Sequence, residues 1–360
     1  MFFEEHTVWE NLKKEERPIV LYGMGDACEK ILKNLDDIGV TPADIFASDE
    51  FVRGHIFHGY KVMKYSEICE KYDDCVILVC FATFLPDVMQ RLKDISKRYT
   101  LLAPYISMFG DELCTNEFIT KNREKIETAY SLLFDEQSKK AFSDVVNYMI
   151  SGKIEYLFEC ETPRSEVFEN IIKLGKNEKY LDLGAYNGDT IMEFLSVTEN
   201  QYESIIAFEP DRKNFKKLSA FIENSNLKNC TCLPYAIWDK RGELNFACKG
   251  GRMSRYDESG ETVICESIDN VLDGNSVTYI KMDVEGAERE AILGGQNTLV
   301  KFYPKLAISA YHKISDIFEL ILLLHDVAPN YKIFLRHHPY IPAFETNIYA
   351  ISRERLSELA

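Results

Sequence analysis

The sequence predicts an α/β protein made of two Rossmann-like units, a smaller one followed by a seven-stranded one. Three observations predict it. Short apolar runs alternate with helical segments over the first hundred residues, and again from Pro163 onward. The stretch between, from Asp111 to Glu161, keeps a helical period and has no glycine before Gly152. The last two apolar runs are joined by a loop too short for a crossover helix, so the second sheet ends in antiparallel pairing. The boundaries read as residues 1–110, a helical connector over 111–162, and a second domain over 163–360.

In the first unit PIVLYG (18–23), DIFASD (44–49), CVILVCF (75–81) and TLLAPYI (100–106) read as strands. Their near-continuous apolar runs suit parallel strands covered on both faces. Helices fit from Asp26 to about Asp37 and over 86–98. The connector is not rich in Pro, Gly or Ser, which excludes a floppy linker. In the second unit SEVFENIIKLG is a helix. The strands are KYLDLG (179–184), SIIAFE (204–209), CTCLPYAI (230–237), VTYIKMD (277–283), KLAISAY (305–311), YKIFLRH (331–337) and TNIYAIS (346–352). A turn-rich insertion between Asp239 and Asp273 reads as a hairpin or short extra strands.

Lys plus Arg is 42 and Asp plus Glu is 58, a formal net charge of -16 over 360 residues. A nucleic-acid backbone calls for the opposite sign, so no nucleic-acid partner is expected. The ten cysteines include no CxxC pair, and the CxC at Cys230 and Cys232 lies in a strand-like run. Zinc spacing is therefore absent, and reduced thiols in a cytoplasmic protein are the expectation. The N-terminus lacks the apolar core of a secretory signal. The longest apolar helix candidate, 317–328, is too short and interrupted to span a bilayer.

Parallel sheets bind ligands at the carboxyl ends of their strands. At those ends in the second unit stand Gly184, Asn187, Gly188, Asp189 and Thr190, then Glu209, then Ala236 and Ile237, then Asp283 and Glu285, then His312. Glu209 lies 25 residues beyond Gly184, where an acid can meet the two hydroxyls of a ribose. NAD and S-adenosylmethionine both carry that ribose. The first turn separates them. Pyrophosphate sites normally read G-x-G-x-x-G, whereas here Gly184 and Gly188 are three residues apart in between, with Asp182 in the strand and Asp189 in the turn. Those carboxylates oppose a pyrophosphate and suit an ammonium. Plainer readings stand beside this one. The glycines can be simple turn residues, Glu209 a charge at a helix start, Asp283 a helix cap, and His312 an ordinary surface histidine. His337 and His338 are adjacent in a strand and point apart, which argues against a metal pair.

YLDLGAYNGDT, IIAFEPD, YAIWD, SID and IKMDVEGAE, followed by AISAYHK and FETNIYAI, occur in an order and spacing that resembles the FkbM-like S-adenosylmethionine-dependent methyltransferases. The resemblance covers roughly residues 163–352, and the longer subgroup of that family also has a leading Rossmann-like part. It implies a class I methyltransferase sheet. It implies that Asp182, Gly184, Asn187, Gly188 and Thr190 hold the methionine side of the cofactor, and that Glu209 holds the ribose. It places Pro210, Asp211, Ala236 and Ile237 at the adenine. Asp283 and Glu285 fall near the transferred methyl, and His312 at the acceptor. The expected reaction is O-methylation of a sugar hydroxyl in a glycan or specialised metabolite. His312 is the first expectation for a base, Glu285 or Asp283 the second. No metal site is assigned, though Asp283, Glu285 and His312 are of a type that could hold a hard cation. KGGRMS (249–254) is expected to act as a lid. The first unit's YGMGDA turn, with Gly23, Gly25 and a later Asp49, leaves a nucleotide or nucleotide-sugar ligand open. Two alternatives follow: a nucleotide-sugar-binding scaffold with a non-catalytic methyltransferase fold, and a nicotinamide-dependent oxidoreductase.

Overall fold

Ile19 to Tyr22 are four consecutive buried residues, and they form β1 at the middle of the first sheet. A computed structural model of the chain describes residues 1–109, 112–247, 255–256 and 261–358. It divides into two units. The first comprises Met1–Glu127, Lys139–Thr162 and His337–Glu345, and the second Thr128–Ser138, Pro163–Arg336 and Thr346–Ala360. In the first unit β1 (Ile19–Tyr22) pairs in parallel with β2 (Asp44–Ala47) and β6 (Val76–Val79). A ribbon of β3 (Ile56–Phe57) and β4 (Tyr60–Lys61) precedes β5 (Met63–Lys64), and β7 (Thr100–Leu102) closes the sheet in the order β5-β2-β1-β6-β7. Helices Asp26–Asp37 and Pro86–Ser96 alternate with these strands.

The second unit is built on β8 (Lys179–Leu183), β9 (Ser204–Phe208), β10 (Cys230–Leu233), β15 (Tyr279–Met282), β16 (Lys305–Ser309), β17 (Tyr331–His337) and β18 (Thr346–Ser352). Their order is β10-β9-β8-β15-β16-β18-β17. The first five are parallel, and β18 runs antiparallel to β16. Strands after β8 step to one side as far as β10, then to the other from β15. The junction of β8 and β15 is thus the switch point where such sheets open a crevice. Behind β8, Tyr180 stacks on Phe194 at 4.5 Å and on Tyr279 at 4.9 Å, anchoring this strand in the core.

One element differs from expectation. The run 230–237 is not one strand: it ends at Leu233 before Pro234, which has no N–H for the ladder. Ala236–Ile237 then form β11, which pairs with β14 (Glu261–Glu266) in a separate sheet with β12 (Gly242–Ala247) and β13 (Arg255–Tyr256), in the order β11-β14-β12-β13. The turn-rich insertion therefore carries extra strands, as its sequence suggests. KGGRMS (249–254) lies outside the described residues. The described cysteines are all free thiols, and no described helix is long and apolar enough to cross a membrane.

A buried ion pair pins the start of β16. Lys305 Nζ donates to Glu178 Oε1 at 2.6 Å and to the carbonyl of Lys173 at 2.8 Å. Glu178 also accepts the Gly175 N–H and the Thr278 hydroxyl. Burial raises its acid, but Lys305 and these donors outweigh burial and hold it below the usual range. That stabilisation is present above the ordinary carboxylate pKa and is lost as pH falls through the lowered one. Lys305→Met should leave a buried carboxylate uncompensated and cost about 3–5 kcal/mol in urea denaturation. It should also remove part of the acid sensitivity. A loss indistinguishable from that of an exposed lysine would refute this role.

Candidate active site

The first turn of the second unit is shaped by close backbone approach. Gly184 follows β8, and its N–H and that of Ala185 both donate to the carbonyl of Phe208, at 3.1 and 2.9 Å. Gly184 has φ +88°, and a Cβ there would lie 1.9 Å from the Asp283 carbonyl oxygen. Only glycine fits. Gly188, φ +93°, starts the helix Asp189–Val197, and a Cβ there would lie 2.4 Å from the Phe221 ring. Asn187 is exposed and its Oδ1 accepts the Asp189 N–H at 3.3 Å. Thr190 Oγ1 donates to Asp182 Oδ2 at 2.5 Å. Asp182 is fully buried, and its Oδ1 has no hydrogen-bond partner among the described residues. Burial pushes this acid up, while Lys281 and Thr190 oppose the shift.

Glu209 stands at the end of β9. It is buried, its N–H donates to the Leu233 carbonyl, and its Oε1 accepts the Asp211 N–H at 2.8 Å. Burial pushes its acid up to about 7. Asp211 caps the helix Arg212–Asn224, accepting the N–H groups of Lys213 and Asn214 at 2.8 and 3.0 Å. Its carboxylate is thus committed to the helix start, beside Pro210. Ala236 and Ile237 are buried in β11.

The second cluster gathers where β15 and β16 end. Asp283 is tied to β8 by its N–H donating to Leu183 O at 2.9 Å. Glu285 and Gly286 follow with φ 54° and 91°, an uncommon left-handed pair that swings the chain over the strand ends. His312, just past β16, is buried. Its Nε2 lies 3.5 Å from Asp283 Oδ1 and 3.4 Å from Glu285 Oε2, and its Nδ1 lies 3.0 Å from Glu288 Oε1. Glu288 Oε1 also accepts the Val284 N–H at 2.9 Å. Tyr311 Oη donates to Asp283 Oδ1 at 3.3 Å.

The charge states follow from this packing. Burial alone would lower the His312 imidazole, but Glu288, Glu285 and Asp283 outweigh it and raise it to about 10. Burial raises Glu285 to about 8, only partly offset by His312. Burial and Glu288 together raise Asp316 to about 7. Burial also raises Asp283, yet Lys281 and His312 prevail and hold it at about 2.

One lysine joins the two clusters. Lys281 lies opposite Asp182 in the β8–β15 register, and its Nζ sits 3.8 Å from Asp182 Oδ1 and 3.4 Å from Asp283 Oδ2. The glycine turn and the carboxylate–histidine cluster therefore form one site at the switch point. Sequence reasoning missed Lys281 and Glu288. A charged residue inside the apolar run YIKMD was the available signal for Lys281. Glu288 offered none, since an acid in a helix's first turn is ordinary.

Other expected positions lie elsewhere. In the first unit Gly23 has φ +116°, and a Cβ there would lie 2.7 Å from the Phe81 ring, so ring packing accounts for this glycine. Asp49 is exposed in a single helical turn. His337 and His338 are buried, and His338 Nδ1 faces the Thr162 carbonyl at 2.7 Å. Burial and the neighbouring His338 depress His337 to about 3.

Residues 182–331 match the family model described as the methyltransferase FkbM domain. Methyltransferase FkbM from Methylobacillus flagellatus is 21% identical, with 93% of this chain and 90% of that chain covered at a TM-score of 0.71, which shows a shared fold. Two further solved structures are alike over a smaller share. A precorrin-6y C5,15-methyltransferase from Geobacter metallireducens is 13% identical, covering 50% of this chain and 84% of that chain at a TM-score of 0.34. A fibrillarin from Aeropyrum pernix with natively bound S-adenosyl-L-methionine is 13% identical, covering 52% of this chain and 73% of that chain at a TM-score of 0.33. No curated protein matches the chain.

The raised groups carry a pH prediction. The acids of Glu209, Glu285 and Asp316 stay protonated in the folded chain after they ionise in the unfolded one, so they favour folding less as pH rises from the ordinary carboxylate range until they too ionise at about 7 to 8. The raised His312 contributes stability below its ordinary pKa and loses it as pH rises through about 10. All four act in one direction. The ligand-free protein should melt at a lower temperature at pH 9 than at pH 6, and Glu209→Gln with Glu285→Gln should flatten the difference. A melting temperature that rises over this interval would contradict the assignment.

Proposed function

We propose that this chain, which carries an FkbM methyltransferase domain, transfers a methyl group from S-adenosylmethionine to a sugar hydroxyl oxygen. The observation that carries the reading is Lys281 lying between Asp182 and Asp283, which makes the cofactor turn and the carboxylate cluster one site. The residues fit the cofactor. Asp182 has a buried oxygen without a hydrogen-bond partner among the described residues, suited to an ammonium, and Gly184 lets the turn pass close to the Asp283 carbonyl where any Cβ would clash. Glu209 is a buried acid at the position expected for the ribose hydroxyls. Asn187, Gly188 and Thr190 border the turn. The sugar as acceptor is supported by the family resemblance of the motifs alone.

When bound, S-adenosylmethionine would supply a methyl carried on a sulfonium, the electron pair of its carbon–sulfur bond leaving with sulfur as the methyl passed to the acceptor oxygen. The chain's main task is to hold the acceptor oxygen in line, which can be worth about 7–11 kcal/mol. The hydroxyl proton must also leave. His312, held protonated between carboxylates, is poorly suited to take it. Glu285, held near 8, is better matched to a neutral working pH. We therefore assign the proton to Glu285. Asp283, ionised, orients the hydroxyl, and His312 positions both carboxylates.

The full chain should bind S-adenosylhomocysteine in calorimetry, and Glu209→Ala should weaken it by about 10- to 100-fold, the worth of hydrogen bonds to a charged group. Binding of NADH or a UDP-sugar with none of S-adenosylhomocysteine would overturn the reading. With an accepted sugar, Glu285→Gln should lower turnover by about 10²–10⁴-fold with cofactor affinity retained. The wild-type kcat/KM should rise as pH passes about 8. A Glu285→Gln variant of near-normal turnover would move the base elsewhere.

A further inference from the structure

We propose that Asp283, Glu288 and His312 form a binding site for one divalent first-row transition-metal ion, of the Mn²⁺ class, at the ends of β15 and β16. One ligand atom from each of the three lies within 4.8 Å of the others. Coordination bonds of about 2.0–2.2 Å set neighbouring ligand atoms roughly 3.0–3.5 Å apart. The observed 3.5 Å from His312 Nε2 to Asp283 Oδ1 fits that spacing, and is long for a charge-assisted hydrogen bond.

A second observation is independent of the cluster's composition. Glu288 is 1% exposed, yet its Oε2 has no hydrogen-bond partner among the described residues. Its Oε1 accepts the Val284 N–H and faces His312, so one oxygen is used and the other is left over. Buried carboxylate oxygens are almost always satisfied, and an unsatisfied one in a native chain points to an ion or water that completes it. Glu285 Oε2 also has no hydrogen-bond partner among the described residues, and it lies 3.4 Å from His312 Nε2.

The local charge points the same way. Asp182, Asp283, Glu285, Glu288 and Asp316 meet here, opposed by Lys281 and His312. Ionised carboxylates in such a buried cluster need nearby positive charge, and a divalent ion supplies more of it than one proton on an imidazole. The ion takes the place of that proton, which is released to solvent. The ligand types select the ion. One imidazole with carboxylates suits Mn²⁺, Fe²⁺ or Zn²⁺, whereas an all-oxygen set suits Ca²⁺ or Mg²⁺. The site does not depend on the acceptor. If the methyltransferase reading also holds, the ion lies beside Glu285, where it can polarise an acceptor hydroxyl.

The test uses the chelator-treated full chain and Mn²⁺, read by calorimetry and by electron paramagnetic resonance of the bound ion. One Mn²⁺ per chain is expected to bind saturably. Asp283→Asn and Glu288→Gln, both near-isosteric, should each weaken it by about 10- to 100-fold. Circular dichroism and a cooperative thermal melt, measured on the same samples, report that each variant is folded. No saturable Mn²⁺ binding to the wild-type chain overturns the site, as does unchanged affinity in both variants. Loss of Mn²⁺ binding with loss of folding in one variant leaves the other to decide. Failure of S-adenosylhomocysteine to bind a chain that does bind Mn²⁺ would instead count against the methyltransferase reading.

Discussion

The site depends on a lysine that the sheet forces into acidic company. Lys281 occupies an inner position of β15, opposite Asp182 on β8, at the point where strand order reverses. Its ammonium meets Asp182 on one side and Asp283 on the other. Without it two carboxylates at adjacent strand ends would repel each other in a poorly solvated place. With it they can both stay, and Asp283 is held strongly acidic. Everything beyond follows from this arrangement. Asp283 anchors His312, His312 anchors Glu285 and Glu288, and Glu288 binds back to the turn after β15 through Val284.

Backbone geometry completes what charge begins. Gly184 passes so near the Asp283 carbonyl that no side chain is tolerated, which draws the first turn and the fourth parallel strand's end together. Glu285 and Gly286 adopt left-handed φ values that turn the chain across the strand ends. Strained backbone of this kind persists only where surrounding structure over-determines it. Here the buried ring stack behind β8 and the Lys305–Glu178 pair below β16 supply that rigid base.

Much of this was legible in the sequence. The apolar runs give the parallel strands within a few residues, because strands buried on both faces must be continuously apolar. The glycine turn, Glu209 and the run KMDVEGAE mark the carboxyl ends of strands in the second sheet, where parallel sheets bind ligands. What was not legible has physical reasons. Pro234 ends a run that looks continuous, and the residues after it join another sheet. The interleaving of the units is invisible to local periodicity. Residues 337–345 belong with the first unit through long-range pairs such as Thr162 N–H to His337 O and Thr83 with Ile341. Proton positions also escape sequence reading. A histidine beside acids looks like a base until its neighbours are counted, and three carboxylates around His312 make it a cation instead.

A crystal structure of the full chain with S-adenosylhomocysteine tests the central claim most directly. The account predicts the ligand at the β8–β15 junction, its amino group on Asp182 Oδ1 and its ribose hydroxyls on the Glu209 carboxylate. A ligand held in the first unit at the Gly23–Gly25 turn, or in the second unit away from both Asp182 and Glu209, would contradict it.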